Sequence, residues 1–576
     1  MAFRKTVPLN EPIATPLSVA PSADLSVASA PVQSAFGQWM ALIAALLGWM
    51  FDGAEMGVFS MVGRSAIQDI LGFSGSLTKV QEQQVGFLFG VVVAIFLVGA
   101  ATGGVLFGWL GDRIGRVRAM SLSVLTYAIF TGLCGFAQSP IQLGILRFIA
   151  ALGMGGEWSL GVALVMEVWP NRSRALMAGL IGAAANAGYL LVGIIGIGLT
   201  AILAQFEVWL RGRGLSDAFV TMLVANKGWR LMMLLGTLPA ALTFFFRMFV
   251  PESSKWEHER GRGGTSNWMT TDLFGVLVGA LGPCLIVWVW ADAKIETGPR
   301  IFGTLCGLVL AAGGYIYPVM RFLQRTYANT PSSKGETGKT IRRMLLAACL
   351  SGVALIGTWG STQWAMTWAG QLTQNAKQPM AENGTATDSA SGSSATSEPS
   401  FLQWFHAAIW KNPREYTQIF TSVGAMVGTI LAAMLGDWIG RRLAYFSLCV
   451  ISMLSVIWFY QFHANFSEEF LISSFVLGAC TASFYGWLPL YLPEIFSTNV
   501  RATGQGFGFN FGRILAAIAG LQVGSLLTLE LITKYKTYAG VQGGYPVVCS
   551  IVCGVYLIGM ALIWIAPETK GKPLPE

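Results

Sequence analysis

Fourteen runs of roughly 20 largely apolar residues constrain this chain more than anything else in it, because a run of that length crosses a bilayer as one helix. Six lie near 38–62, 86–110, 118–137, 140–166, 175–203 and 229–250, and two follow at about 272–292 and 300–320. Six more lie near 344–370, 414–435, 443–463, 468–492, 503–530 and 546–566. The runs are continuous rather than alternating, which excludes a closed β-barrel. Composition agrees: 54% of the 576 residues are hydrophobic and 11% are charged, against about 25% charged residues in soluble domains. The expected fold is all-α and polytopic, in a cell membrane (inner or plasma).

The net charge of +8 does not mark a nucleic-acid binder, since the basic residues sit in short loops between runs. Arg113, Arg116 and Arg118, Arg172 and Arg174, the cluster from Arg321 to Arg343, and Arg441 with Arg442 all fall on one side, the cytoplasmic one by the positive-inside rule. Both termini are then cytoplasmic. The loop 204–228 dissents, because it belongs outside yet carries Arg211, Arg213 and Lys227. Residues 1–36 lack an apolar signal core and read as a disordered tail. The stretch 371–400 reads as an external low-complexity linker, 401–411 as a short interfacial helix, and 567–576 as a cytoplasmic tail. Asn383 and Asn465 head Asn-x-Ser/Thr sequons. Cys134, Cys284, Cys306, Cys349, Cys449, Cys480, Cys549 and Cys553 all lie in apolar segments and read as buried thiols.

The chain repeats itself. Gly-Asp-Arg-Ile-Gly-Arg (111–116) returns as Gly-Asp-Trp-Ile-Gly-Arg (436–441), an offset of 325 residues. Glu167 stands seven residues before Arg174, and Glu494 seven before Arg501, an offset of 327. Two motifs with nearly one offset imply homologous six-helix halves, 37–250 and 344–566, the second carrying the external loop 371–412. The extra helix pair is inserted within 251–343. Parallel halves with a midplane site between them are a transporter architecture.

Gly-Trp-Leu-Gly-Asp-Arg-Ile-Gly-Arg (108–116) resembles the signature loop of the major facilitator superfamily. Pro-Glu-Ser-Ser-Lys (251–255) and Pro-Glu-Thr-Lys-Gly-Lys (567–572) resemble sugar-porter signatures. Phe-Asp-Gly-Ala-Glu (51–55) and Gly-Met-Gly-Gly-Glu-Trp (153–158) look more like metabolite:proton and sialic-acid/lactate:proton symporters. The resemblance implies the major facilitator fold, here with about 14 transmembrane helices. It also implies a gate at the signature loops: Gly108, Gly111, Asp112, Arg113, Gly115 and Arg116, with Arg172, in the first half, and Gly436, Asp437, Gly440 and Arg441 in the second. Glu167 with Arg174, and Glu494 with Arg501, are expected to pair there, either as a gate or only to fix loop shape.

Charges inside the apolar runs are costly, about 2.5–3.5 kcal/mol each at a helix centre, and so point to function. Asp52 and Glu55 lie in the first run, Arg147 and Glu157 in the fourth. Asp52 is ~15 Å and Arg147 ~11 Å below the same surface at 1.5 Å per residue, so the two are expected to pair. The resemblance implies the same, placing an acid in helix 1 and an arginine in helix 4. Such a pair could load and release a proton. Glu157, ~15 Å further along its helix, could only relay. Arg513, central in its run, and Asn186, its counterpart at the offset of 327, are expected in the solute cavity with Asn510. Trp359, Thr362, Gln363 and Trp364, with Tyr485 and Trp487, are expected to line it. Polar groups beside aromatic faces suit sugars and sugar acids.

The sequence therefore reads as a secondary transporter, not an enzyme, carrying a small organic anion or sugar acid with protons. Its expected partners are the solute, protons and the bilayer, in a monomer without cofactor or metal. A sugar carrier of the sugar-porter type is the nearest alternative, and a non-transporting solute receptor a weaker one. No Gly-rich phosphate loop points to ATP.

Overall fold

In a structure whose solvent is lipid, backbone groups must be satisfied within each crossing segment, and helices do this locally. Short polar signals set their ends. The Ser34 hydroxyl accepts from Gly37 N at 3.2 Å, Thr78 and Gln81 form a capping box, and Ser139 precedes Pro140 at the first helical position. In this computed structural model residues 34–382 and 408–575 are described, apart from 74, 76, 264, 293, 328–332 and 519–529. The tail 1–33, Asn383, the rest of the linker to 400 and most of 401–411 lie outside the described residues.

The first half comprises α1 (Ala35–Ile70), α2 (Lys79–Ile114), α3 (Arg116–Cys134), α4 (Pro140–Val168), α5 (Arg174–Gly212), α6 (Asp217–Leu235) and α7 (Leu242–Phe249). A short α8 (Ser254–Gly261) leads to the inserted pair, α9 (Leu273–Ala291) and α10 (Thr297–Thr326). The second half has α11 (Ser333–Gly360), α12 (Ala365–Glu382), α13 (Pro413–Ile439), α14 (Arg441–Phe462), α15 (Glu468–Thr481) and α16 (Phe484–Ile495). It continues with α17 (Arg501–Asn510), α18 (Glu530–Lys534), α19 (Gly544–Val552) and α20 (Val555–Leu562). Thirteen segments among the described residues are long and apolar enough to span. The run expected at 503–530 appears as α17 and helical residues 512–518, its remainder up to 529 being outside the described set.

Three expectations change. The stretch 204–228, expected as an external loop, is mostly helix, because α5 continues to Gly212 and α6 begins at Asp217; charge ended the apolar run but not the helix. The sixth span is interrupted: Ala225–Gly228 is non-helical inside α6, and a 3-10 turn at Leu238–Ala241 precedes α7. Residues 371–382, read as linker, continue α12. The cysteines also divide, since Cys284 and Cys349 are exposed on the flanks that lipid would cover whereas Cys134, Cys449, Cys549 and Cys553 are buried.

Within the first half α4 packs on α2 and α3, and α5 on α1; within the second, α15 packs on α13 and α14. The seam is made by α2 against α17 and α5 against α13. By the internal offset α13 is the counterpart of α2, and α17 of α5, so the halves exchange equivalent helices about a pseudo-twofold axis. Gly104 and Gly506 permit the α2–α17 crossing: a Cβ on Gly506 would lie 2.0 Å from the Gly104 carbonyl oxygen. The inserted α9–α10 hairpin lies against α2 and reaches α11. Thr102 and Tyr315 hydroxyls share a hydrogen bond of 2.8 Å there.

Candidate functional site

Four of the second half's spans are not continuous helices. α11 stops at Gly360 and resumes as α12 at Ala365 after a 3-10 turn, while α15 stops at Thr481 and α16 starts at Phe484. The breaks face each other, and Thr362 Oγ1 donates to Thr481 Oγ1 at 2.8 Å. Side chains occupy the freed carbonyls: Tyr460 OH donates to Ser361 O at 2.7 Å and Ser452 Oγ to Cys480 O at 2.9 Å. α17 and α19 are interrupted likewise, at Phe511 and at Cys553–Gly554. Interrupted helices at mid-depth are where carriers bind solutes.

A cavity of about 830 Å³, its open mouth included, lies at these breaks and on the seam. The first half supplies Trp49, Asp52 and Met56, spaced along one face of α1, and Asn186 and Tyr189 of α5. The second supplies Thr358, Trp359, Thr362, Gln363, Gln418, Tyr485, Phe509 and Arg513. Arg513 is only 4% exposed. Its guanidinium lies 5.4 Å from the centre of the Phe509 ring and acts electrostatically on Asp52 across the seam. Among the described residues Arg513 Nε and Nη1 and Asp52 Oδ1 have no hydrogen-bond partner. A buried guanidinium with free donors has the chemistry to donate charge-assisted hydrogen bonds to an anion's oxygens.

Of the expected lining residues, Arg513, Asn186, Trp359, Thr362, Gln363 and Tyr485 are in this cavity. Trp364 stacks on Tyr545, with centroids 5.3 Å apart, and lines an adjoining cavity that shares Trp359 and Gln363. Asn510 is elsewhere, because one residue of helix turns it by 100° into the α4 contact, where its amide donates to Gly155 O at 2.8 Å. Trp487 is also elsewhere: its indole donates to Arg441 O at 3.0 Å beneath the second signature loop. The sequence reading missed Trp49, Met56, Tyr189 and Gln418. Helical spacing from Asp52 and Asn186 would have found the first three. Gln418 was visible as a lone amide in an apolar run, and it donates to Tyr189 O at 2.7 Å.

The internal ion pair is not the expected one. Arg147 is bound to Glu55, not Asp52, in a salt bridge whose side chains are 1% and 2% exposed. Thr131 Oγ1 donates to the same carboxylate at 3.0 Å, and the guanidinium lies between Phe59 and Phe96, 4.4 Å from each ring centre. Depth matches both acids, but the ~60° of helix rotation between positions three apart turns Asp52 to the seam and Glu55 into the bundle. Glu157 is buried with both carboxylate oxygens unpartnered among the described residues. It packs directly on Gly48, whose added Cβ would meet Oε1 at 1.9 Å. Gly48 is one turn of α1, ~6 Å, from Asp52, so Glu157 is nearer to Asp52 than its place along α4 suggested.

At one end of the seam the signature residues form a closed cluster. Arg116 donates to Asp112 Oδ1 at 2.7 Å, to Glu167 Oε1 at 3.2 Å and, across the seam, to Thr498 O at 3.0 Å. Asp112 accepts from the Thr503 amide at 2.9 Å and hydroxyl at 2.6 Å, and so caps α17 from the other half. Glu167 pairs with Arg501 of the second half at 2.9 Å rather than with Arg174. Glu494 pairs with Arg441 at 2.7 Å rather than with Arg501, and Arg174 acts electrostatically on Glu494. One ion pair is therefore crossed between halves, Glu167 with Arg501, whereas Glu494 takes a partner, Arg441, from its own half. The offset shows which residues are equivalent, and the twofold axis makes partners of the non-equivalent ones.

The remaining signature residues support this cluster. Gly115 and Gly440 sit at φ +111° and +96°, conformations that a side chain would strain. Gly108 leaves room for Ala502 O, Gly111 for Leu160, and Gly436 lies against Trp487. Arg113 reaches Thr270 ahead of the inserted pair at 2.7 Å, and Arg172 is exposed. Asp437 is 58% exposed, unlike its buried counterpart Asp112. The sugar-porter-like motifs cap the helices that follow each signature loop. Glu252 accepts from Arg116 N at 2.7 Å, and Glu568 from Arg441 N and Arg442 N at 3.1 Å each. Burial pushes the Glu252 carboxyl up. Burial works in the same direction on Glu568, but the amides of Arg441, Arg442, Lys570 and Thr569 together hold it below its ordinary value.

Residues 40–268 and 388–571 match the family described as Sugar (and other) transporter. A putative metabolite transport protein of Haemophilus influenzae is 24% identical over 537 residues, 93% of this chain and 98% of its own. A cis,cis-muconate transport protein of Acinetobacter baylyi is 24% identical over 489 residues, 84% of this chain and 87% of its own. A major facilitator proton:xylose symporter, solved with 6-bromo-6-deoxy-D-glucose, has the same fold, with a TM-score of 0.59 at 17% identity over 93% of this chain and 98% of its own. Most of the chain lies within the family match, and the multi-span fold with its seam cavity agrees: the chain belongs to the sugar (and other) transporter family, has the fold of that major facilitator symporter, and is a membrane transporter rather than an enzyme.

Proposed function

We propose that this transporter carries a small organic anion, a monocarboxylate or sugar acid or a flat unsaturated acid, in symport with a proton by alternating access. The observation that carries the reading is Arg513, buried at the cavity with free donors and facing Asp52. The name of the Acinetobacter relative, a muconate transport protein, is in line with a carboxylate. So are the aromatic walls of Trp49, Trp359, Tyr189 and Phe509, which offer faces to a planar substrate.

Charge balance links the two cargoes. When a substrate carboxylate takes Arg513, two buried carboxylates share one guanidinium, an arrangement that is costly in low dielectric. A proton on Asp52 removes the excess charge, so anion and proton each favour the other's binding. Glu55 with Arg147 keeps a second acid one turn away, and Glu157 a third. With the signature face cytoplasmic, its closed cluster corresponds to a carrier open or occluded toward the outside. The sugar-carrier reading draws on Asn186, Gln363 and Gln418 in the same cavity, groups suited to hydroxyls.

The test is uptake by proteoliposomes of cis,cis-muconate, nicotinate, lactate, glucuronate, sialic acid and xylose, with and without an acid-outside gradient. A carboxylate accumulating only with the gradient supports the reading. Uptake of xylose alone, indifferent to Arg513→Gln, overturns it in favour of the sugar carrier.

A further inference from the structure

The loop 204–228 puts basic residues on the side of the membrane where the other loops have few. Its last part, Ala225–Gly228, interrupts α6 with three successive left-handed residues: Asn226 at φ 45°, Lys227 at φ 68° and Gly228 at φ 68°. Two of these are not glycine, and such strain persists only where the surroundings enforce it. Asp69 at the end of α1 supplies the anchor. It accepts from Asn226 Nδ2 at 2.8 Å and Trp229 Nε1 at 3.0 Å, and pairs with Arg230 at 3.2 Å. The outcome is that Lys227 lines a cavity at the end of the seam opposite the signature cluster.

Arg64 of α1 and Arg414 of α13 line the same cavity. Arg414 lies over Gly370 so closely that a Cβ there would be 2.4 Å from its Nε. Arg64 is paired with Glu82, and Glu415 also lines the cavity. Lys227 and Arg414 have no hydrogen bond or ion pair among the described residues. Met366 and Gln418 line both this cavity and the one at Arg513, so the two are adjoining parts of one path.

We propose that Lys227 and Arg414, with Arg64, form an anion-capture site in this vestibule, which draws in a carboxylate-bearing solute and hands it on to Arg513. The proposal rests on the organic-anion reading for its cargo, but not for its charge. Lys227 belongs to one half and Arg414 to the other, so closing this end brings like charges together across the seam. A passing anion relieves that repulsion; an empty carrier keeps it. Focused positive potential in a low-dielectric cleft raises the local concentration of anions and their rate of entry.

The test uses the full chain in proteoliposomes with Ser65→Cys as a reporter, since Ser65 lines the vestibule and the three cations stay in place. Its rate of modification by a sulfonate-bearing methanethiosulfonate is compared with that by a trimethylammonium-bearing one. Both are corrected for the parent protein's own cysteines and normalised to a free thiol. The expected result is a preference of about tenfold for the anionic reagent, falling toward one in the Lys227→Gln/Arg414→Gln background and in about 1 M salt. A flat ratio, or one that the double substitution leaves unchanged, overturns the site. In the same background the KM for whichever carboxylate of the uptake panel is carried should rise several-fold, with the maximal rate and the proton dependence unchanged; an unaltered KM overturns the hand-on role. A preference for the anionic reagent in a protein that carries xylose and no carboxylate supports the charge site and overturns the organic-anion reading instead.

Discussion

Asp52 and Glu55 are three residues apart on one helix and have different neighbours: Asp52 faces Arg513 on the seam, and Glu55 is tied to Arg147 inside the first half. Asp52→Asn keeps the shape of the side chain but cannot take up a proton. It should abolish uphill accumulation driven by a pH gradient while preserving counterflow exchange, measured in the same liposomes; full accumulation would dismiss the proton role. It should also melt close to the parent protein. Arg147→Ala leaves Glu55 as a buried carboxylate without a counter-charge, held only by the Thr131 hydroxyl, a loss of about 3–5 kcal/mol, and should lower the melting temperature clearly in detergent. The reverse order of stabilities would restore the Asp52–Arg147 pairing expected from depth alone. Arg513→Gln removes charge-assisted hydrogen bonds of about 1.5–3 kcal/mol each and should raise the KM for a carboxylate by roughly a hundredfold. The sequence exposed these four charges because those apolar runs hold only two others, Glu157 beside Arg147 and Glu530 at the end of the run of Arg513. It gave their depth but not their azimuth, since one residue of helix turns a side chain by 100°. Asn510 was misplaced for the same reason.

At the scale of elements, the apolar runs were legible because bilayer thickness sets their length. Their breaks were not, because Thr362 and Thr481 are ordinary helix residues until the two breaks meet and their hydroxyls bond to each other. The continuation of α5 to Gly212 was hidden as well, since hydropathy falls where the lipid ends and helices do not. Close crossings carry a prediction. Gly506→Val places side-chain atoms where the Gly104 carbonyl now lies, so α2 and α17 should fail to close. The variant should remain open at the signature end, shown by faster labelling of a cysteine introduced at Thr503 than in the parent background. Equal labelling would mean that the crossing yields by repacking. The cap at Glu568 gives a second prediction. Its carboxyl is held below the ordinary value by backbone donors, so the stability it contributes is present at neutral pH and lost as the pH falls through that lowered value. Glu568→Gln should flatten the acid limb of a melting-temperature profile and leave the alkaline limb unchanged.

For the molecule as a whole, the repeat offsets were enough to read two halves and an inserted pair, whereas the crossing of partners at the signature end needed the twofold axis itself. Arg501 is the clearest case, being tied to Glu167 of the other half and to the Pro575 carbonyl at 2.7 Å. Arg501→Ala should favour opening of the signature end and slow net transport while leaving solute binding intact, because the cavity at Arg513 shares none of these residues. Loss of binding at normal protein levels would assign Arg501 a different role. The same cluster sets how the carrier responds to heat. At least four hydrogen bonds cross the seam there, from Arg116 to Thr498, from Arg501 to Glu167 and twice from Thr503 to Asp112. In the alternating-access cycle proposed above, all must part before the signature end opens. Charge-assisted bonds of this kind contribute about 1.5–3 kcal/mol each, and water replaces them only after the faces separate. Reorientation should therefore have a large activation enthalpy, with turnover falling steeply on cooling while affinity for the solute changes little.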